Sequence, residues 1–167
     1  MERGAGVSAE IDTYAHELLW ILDQVGRSLE SLTAQQLTWQ PPIDTANCAA
    51  AITTHIVHST RVYALGFGCG HPVMRDRPAE FAATDASVEN LVAALRHLSE
   101  DLTAAFDALT PQQLDERFEP PQELLGTGPI REISRRDALV ESIRHAALHL
   151  GELRLTCDLA CQYHDER

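Results

Sequence analysis

Apolar residues recur every three to four positions along four separate stretches of this chain. That period admits one kind of building block, the amphipathic helix. The first stretch runs from about Ser8 to Leu32. Ile11, Ala15, Leu18, Leu22, Val25 and Leu29 form its stripe, and Ser8 is placed to cap it. A turn-rich segment from Thr33 to Asp44 follows, stopped by Pro41-Pro42. The second helix is expected from about Thr45 to Phe67, with Ile52, Ile56, Ser59 and Tyr63 inward and Gly66, Gly68 and Gly70 ending it. A long connection from Gly68 to about Asp85 exceeds what a tight helical hairpin needs. The third helix spans about Ala86 to Leu109 and is stopped by Thr110-Pro111. A second long connection carries Pro120-Pro121 and Gly126-Thr127-Gly128-Pro129. The fourth helix begins near Ser134, whose Ser-x-x-Asp137 pattern resembles a capping box, and continues to about Cys161. No strand-like alternation and no repeat interrupts this order. The expectation is an all-α protein: a four-helix bundle in one domain spanning residues 1–167, with ligand sites built from facing helices.

Charge narrows the partners. The net charge is −12, so nucleic acid is excluded because nothing here would neutralise a run of phosphates. An anionic membrane surface is excluded on the same ground, and no apolar run reaches the length of a membrane span. The N-terminus lacks a signal-peptide core, which predicts a cytoplasmic protein. Cys48, Cys69, Cys157 and Cys161 are then expected as thiols, without the spacing of a zinc–cysteine site. All basic residues are arginine, which we read as the codon bias of a GC-rich genome.

The chemistry-bearing residues concentrate on two helices. In His145-Ala-Ala-Leu-His149 the two imidazoles share a helix face and can hold one metal ion. On a wheel of about 100° per residue, one apolar face of this helix carries Leu139, Ile143, Ala146, Leu150 and Cys157, and a second carries Leu148, Leu155 and Leu159. Between them runs a polar strip of His145, His149, Glu152 and Thr156. Read as buried, that strip requires partners, and two readings stand: a metal ion, or a hydrogen-bonded, pH-sensitive cluster. On the second helix His55 falls at the edge of the inward stripe and His58 outside it, so His55 is the candidate third ligand. Alone it would read as a hydrogen-bonded core histidine. Three imidazoles with one position free is the arrangement of catalytic zinc. His16, His71, His97 and His164 fall elsewhere. The zincin glutamate is missing from His-Ala-Ala-Leu-His, and no Glu precedes a His by three as di-iron bundles require. Glu152 reads as an acceptor behind a ligand, as a general base, or as a surface carboxylate; Arg154 reads as a surface cation or an anion-binding group. Trp20, opposite the stripe of its helix, hints at a helix-mediated dimer.

Three passages resemble the DinB/YfiT-like superfamily. Leu37-Thr-Trp-Gln-Pro-Pro42 is similar to the family's L-x-W-x-P turn. Asn47-Cys-Ala-Ala-Ala-Ile-Thr-Thr-His55 is similar to its N-S-I-x-x-L-x-x-H stretch, with Cys48 in place of Ser. His145-Ala-Ala-Leu-His-Leu-Gly-Glu152 is similar to H-x-x-x-H-x-G-Q/E on the last helix. The resemblance implies a bundle with a long crossover between helices 2 and 3. It implies a divalent metal, zinc or nickel, held by His55, His145 and His149, and a homodimer. It further implies a metal-dependent transfer of a low-molecular-weight thiol to an electrophile, in detoxification or thiol metabolism. The GC-rich bias favours mycothiol as that thiol. A non-catalytic metal- or small-ligand-binding bundle with a stress-related role is the alternative.

Overall fold

The computed structural model describes residues 9–75, 87–125 and 129–165, with residues 164 and 165 as backbone only. Helix α1 spans Ala9–Leu29 and buries Ile11, Leu18, Leu22, Val25 and Leu29, the expected stripe. A short α2 follows at Ala34–Thr38. Helix α3 spans Ala49–Thr60 and continues as a π-helical segment, Arg61–Gly68. Helix α4 spans Val88–Ala108, and α5 spans Arg135–Asp165. Between α4 and α5 lie a 3₁₀ turn, Pro111–Asp115, and two short strands, β1 (Arg117–Phe118) and β2 (Ile133–Ser134). The strands pair antiparallel, Arg117 opposite Ser134 and Phe118 opposite Ile133.

The capping signals act where the sequence puts them. The hydroxyl of Ser134 accepts from the Asp137 N–H at 3.0 Å, and the Asp137 carboxylate accepts from the Ser134 N–H at 2.8 Å. Ser87 caps α4 by accepting from the Asn90 N–H. Ser8 lies outside the described residues, as do residues 76–86 of the first long connection and Gly126-Thr127-Gly128 of the second.

The four long helices form a two-by-two bundle. Helix α1 packs against α4 and α5, and α3 packs against α5 and α4, so α1 and α3 take diagonal corners. Arg136 meets Glu10 near the starts of α5 and α1, and Arg154 meets Gln24 farther along both, so these two helices run parallel. Helix α3 runs antiparallel to α5: His55 meets His145, while Gly68 abuts Leu139. Fully buried leucines, among them Leu18, Leu22, Leu98, Leu102, Leu139 and Leu153, fill the centre. Each is worth roughly 1.5–3 kcal/mol on burial. No described helix is long and apolar enough to cross a membrane.

Four sequence expectations are corrected. The stretch after α1 holds a helix, because Thr33 and Gln36 cap it reciprocally. The α3 helix starts at Ala49 rather than near Thr45, with Cys48 as its N-cap residue. Gly66 and Gly68 do not end that helix; they lie inside its π-helical continuation, where a Cβ at Gly68 would fall on the Leu139 side chain. Gly70, at φ +80°, makes the reversal, a conformation costly for any residue with a Cβ. Finally, the second apolar face of α5 is not covered. Leu148 and Leu155 are each 61% exposed and Leu159 is 39% exposed.

Candidate metal centre

His55 stands on the most deeply buried helix of the bundle. Ala49, Ala50, Ala51, Ile52, Ile56 and Val57 surround it in sequence and are all buried. Thr53 and Ser59 satisfy their hydroxyls within the helix, donating to the carbonyls of Ala49 and Ile56. His55 is therefore held by packing, only 6% exposed, with its ring directed at α5.

His145 and His149 stand one turn apart on α5, half-buried, and meet that ring. The Nε2 atoms of His55 and His145 are 3.0 Å apart. The three ring centroids lie 4.5 to 5.2 Å from one another, each pair edge-on. One ligand atom from each ring falls within 4.8 Å of the other two, and this is the one such triad among the described residues. Burial, followed by the two neighbouring imidazoles, pushes His145 down to about 4, so it is a neutral lone-pair donor at physiological pH.

Glu152 lies behind this triad. Its Oε2 is 2.7 Å from Nδ1 of His149. A carboxylate only accepts, so Nδ1 carries the proton and the lone pair of His149 resides on Nε2. That is the outer-shell arrangement that orients a metal-binding histidine. Engaged there, Glu152 acts on His149 rather than on open space. Arg154 donates to Gln24 of α1 and ties two helices, so it is not part of the site.

The donor set fits a divalent cation. Imidazole nitrogens about 2.0–2.1 Å from a tetrahedral ion stand roughly 3.3 Å apart, a value bracketed by the observed separations. Without a cation, Nε2 of His55 and Nε2 of His145 must share one proton. With one, both could present lone pairs to a common centre.

His55 and His145 line a cleft of about 1000 Å³. Ser59 and Tyr63 border it from the α3 side, and the Tyr63 ring is 6.5 Å from that of His145. Tyr63 belongs to the π-helical segment, whose wider turn re-aims side chains relative to an α-helix. The sequence placed Tyr63 on the core stripe and gave no sign of its place at the cleft. His58 is half-buried and not a member of the triad; His16, His71 and His97 are exposed, and the side chain of His164 lies outside the described residues. Two of the thiols are poor nucleophiles: burial pushes Cys69 up to about 12 and Cys157 up to about 11.

Residues 18–153 match the family model of the DinB superfamily. No curated protein sequence matches the chain significantly. Among solved structures, the chain is similar to YfiT of Bacillus subtilis, described as a probable metal-dependent hydrolase with an unusual four-helix bundle topology. The TM-score is 0.70 at 20% identity, covering 93% of this chain and 91% of that one. It is also similar to a DinB-like protein of Bacillus cereus (TM-score 0.68, 15% identity, 89% and 91% covered). A second DinB-like protein of B. subtilis, YjoA, aligns with TM-score 0.63 at 19% identity, covering 87% and 90%. At these identities the likeness is one of fold.

Proposed function

The chain belongs to the DinB superfamily, and on that premise we propose that it is a zinc- or nickel-dependent enzyme that transfers a low-molecular-weight thiol to an electrophile. In this reading it works as a cytoplasmic homodimer, with His55, His145 and His149 as the metal ligands. The carrying observation is the meeting of three imidazoles, two of them on the wall of a cleft large enough for a small molecule. A divalent ion on three neutral ligands keeps its full charge and lowers the pKa of a coordinated thiol or water. The protein's own groups do the rest. Glu152 fixes the tautomer of His149, burial keeps His145 neutral, and the apolar packing around His55 excludes water from one side of the site.

The same site supports a second reading, metal-dependent hydrolysis, favoured by the description of YfiT as a probable metal-dependent hydrolase. One experiment separates the readings. The protein is loaded with zinc or with nickel and incubated with monochlorobimane and mycothiol, bacillithiol, cysteine or glutathione, and in parallel with p-nitrophenyl acetate. Metal-dependent bimane conjugation that is absent in His149→Ala is expected. Metal-dependent ester hydrolysis without conjugation would give the hydrolase reading instead. Neither activity, with metal bound, would leave a metal-binding bundle. A purified protein with no metal, and no zinc- or nickel-dependent rise in Tm, would sink the metal site itself.

A further inference from the structure

The cleft over the histidines is basic in a chain that is strongly acidic. Five of the thirteen arginines line it: Arg75, Arg117, Arg131, Arg136 and Arg144. Three of them are neutralised in place. Arg117 pairs with Glu132 at 2.7 Å, Arg136 with Glu10 and Asp115, and Arg144 with Glu141. The remaining cleft carboxylate, Asp137, is engaged in capping α5. Arg131 is left over. It is exposed, stands just before β2, and makes no hydrogen bond or close ion pair with a described residue; the carboxylate that feels its charge is Asp137, which it helps to hold ionised. Arg75, also on the wall, donates to the Leu124 carbonyl oxygen.

We infer that this cleft binds a small organic anion, with the guanidinium of Arg131 as the principal group that receives its carboxylate or phosphate. A guanidinium offers paired N–H donors that match the two oxygens of either anion. A net charge of −12 would repel such a ligand from most of the surface. A concave wall whose arginines outnumber its carboxylates, one of them with no side-chain hydrogen bond to a described residue, offsets that field locally and draws the anion in. A volume of about 1000 Å³ suits a small molecule rather than a chain segment. The inference deepens the proposed enzymatic reading and rests on it for one point only: that the other end of the anion reaches the histidines.

The test keeps the two apart. Wild-type and Arg131→Ala protein, each metal-free and zinc-loaded, are titrated calorimetrically with sodium succinate, with inorganic phosphate and with neutral succinamide at low ionic strength. At least one anion is expected to bind the wild type, about tenfold more weakly in Arg131→Ala, with Arg131→Lys between them and succinamide silent. Which anion binds more tightly identifies the carboxylate or phosphate source. Absence of binding by both anions to wild-type protein overturns the inference, as does equal affinity in wild type and Arg131→Ala. Zinc is titrated separately into both. Failure of zinc to bind either protein would defeat the metal reading, while the metal-free titrations still decide the anion site.

Discussion

Glu152 is a carboxylate whose worth depends on one bond. Exposed and only one helical turn beyond His149, it would be an ordinary surface acid were its Oε2 not 2.7 Å from the His149 Nδ1. That bond selects the tautomer that turns the Nε2 lone pair towards His55 and His145. Glu152→Gln keeps the shape but removes the charge that strengthens the bond and the basicity of the ligand. Zinc affinity is expected to fall about 10- to 100-fold, as for other outer-shell partners, with the helical circular dichroism unchanged. Competition titration against a chromophoric chelator reads this directly; unchanged affinity would mean that Glu152 is a surface acid. The triad itself was legible in the sequence because helical spacing is rigid: i and i+4 face one way, and the wheel separated His55 from His58. The arginines of the cleft were not legible. They arrive from the segment after α3, from both strands' surroundings and from α5, so no local pattern joins Arg75 to Arg131.

The elements follow the same division. The long helices were readable because each carries its own apolar period, and the Ser134–Asp137 box marked the start of α5. Local exceptions were harder. Thr33 and Gln36 carry the signature of a helix start, but the following prolines made the stretch read as a turn. Gly66 and Gly68 look like terminators because glycine commonly ends helices. Here they serve packing: the absence of a Cβ lets Leu139 and Val73 lie against the backbone, and the helix widens instead of stopping. The cap of α5 yields a pH prediction. Hydrogen bonds from the Ser134 N–H and hydroxyl, aided by Arg117 and Arg131, hold the Asp137 carboxyl below its ordinary 3.8. A depressed carboxylate contributes stability that is fully present above its unfolded value and is lost as pH falls through the folded one. Asp137→Asn is therefore expected to cost about 0.5–1 kcal/mol in urea unfolding at pH 7, discounted for the exposure of the group. The gap from wild type should close as pH drops below 3.8. A gap of constant size would show that the charge contributes nothing.

The whole molecule leaves one face unfinished. The wheel put Leu148, Leu155 and Leu159 together and led to the expectation of a buried face, yet the bundle covers only the opposite side of α5. No element among the described residues covers it, and a helix wheel alone does not tell a covered apolar face from an open one. Gly151 sits between Leu148 and Leu155 with open space above it, so a second helix could approach closely there. A self-complementary contact of α5 with α5 about a two-fold axis fits this face and fits the proposed homodimer. Glu152 lies at the border of the same face, so assembly would draw water away from the His149–Glu152 bond and strengthen it. Two chains of charge −12 repel, so association should tighten as salt rises from low to physiological strength. Sedimentation velocity is expected to show a dimer for the wild type and a monomer for the double variant Leu148→Glu, Leu155→Glu, which sets like charges against one another across the two-fold. Two lost apolar contacts of roughly 1.5–3 kcal/mol each weaken association by more than about 100-fold. The monomeric variant should retain its helical signal and one zinc per chain, since all three histidines come from one chain. A wild type that sediments as a monomer at every concentration would leave this leucine face without a partner of its own kind.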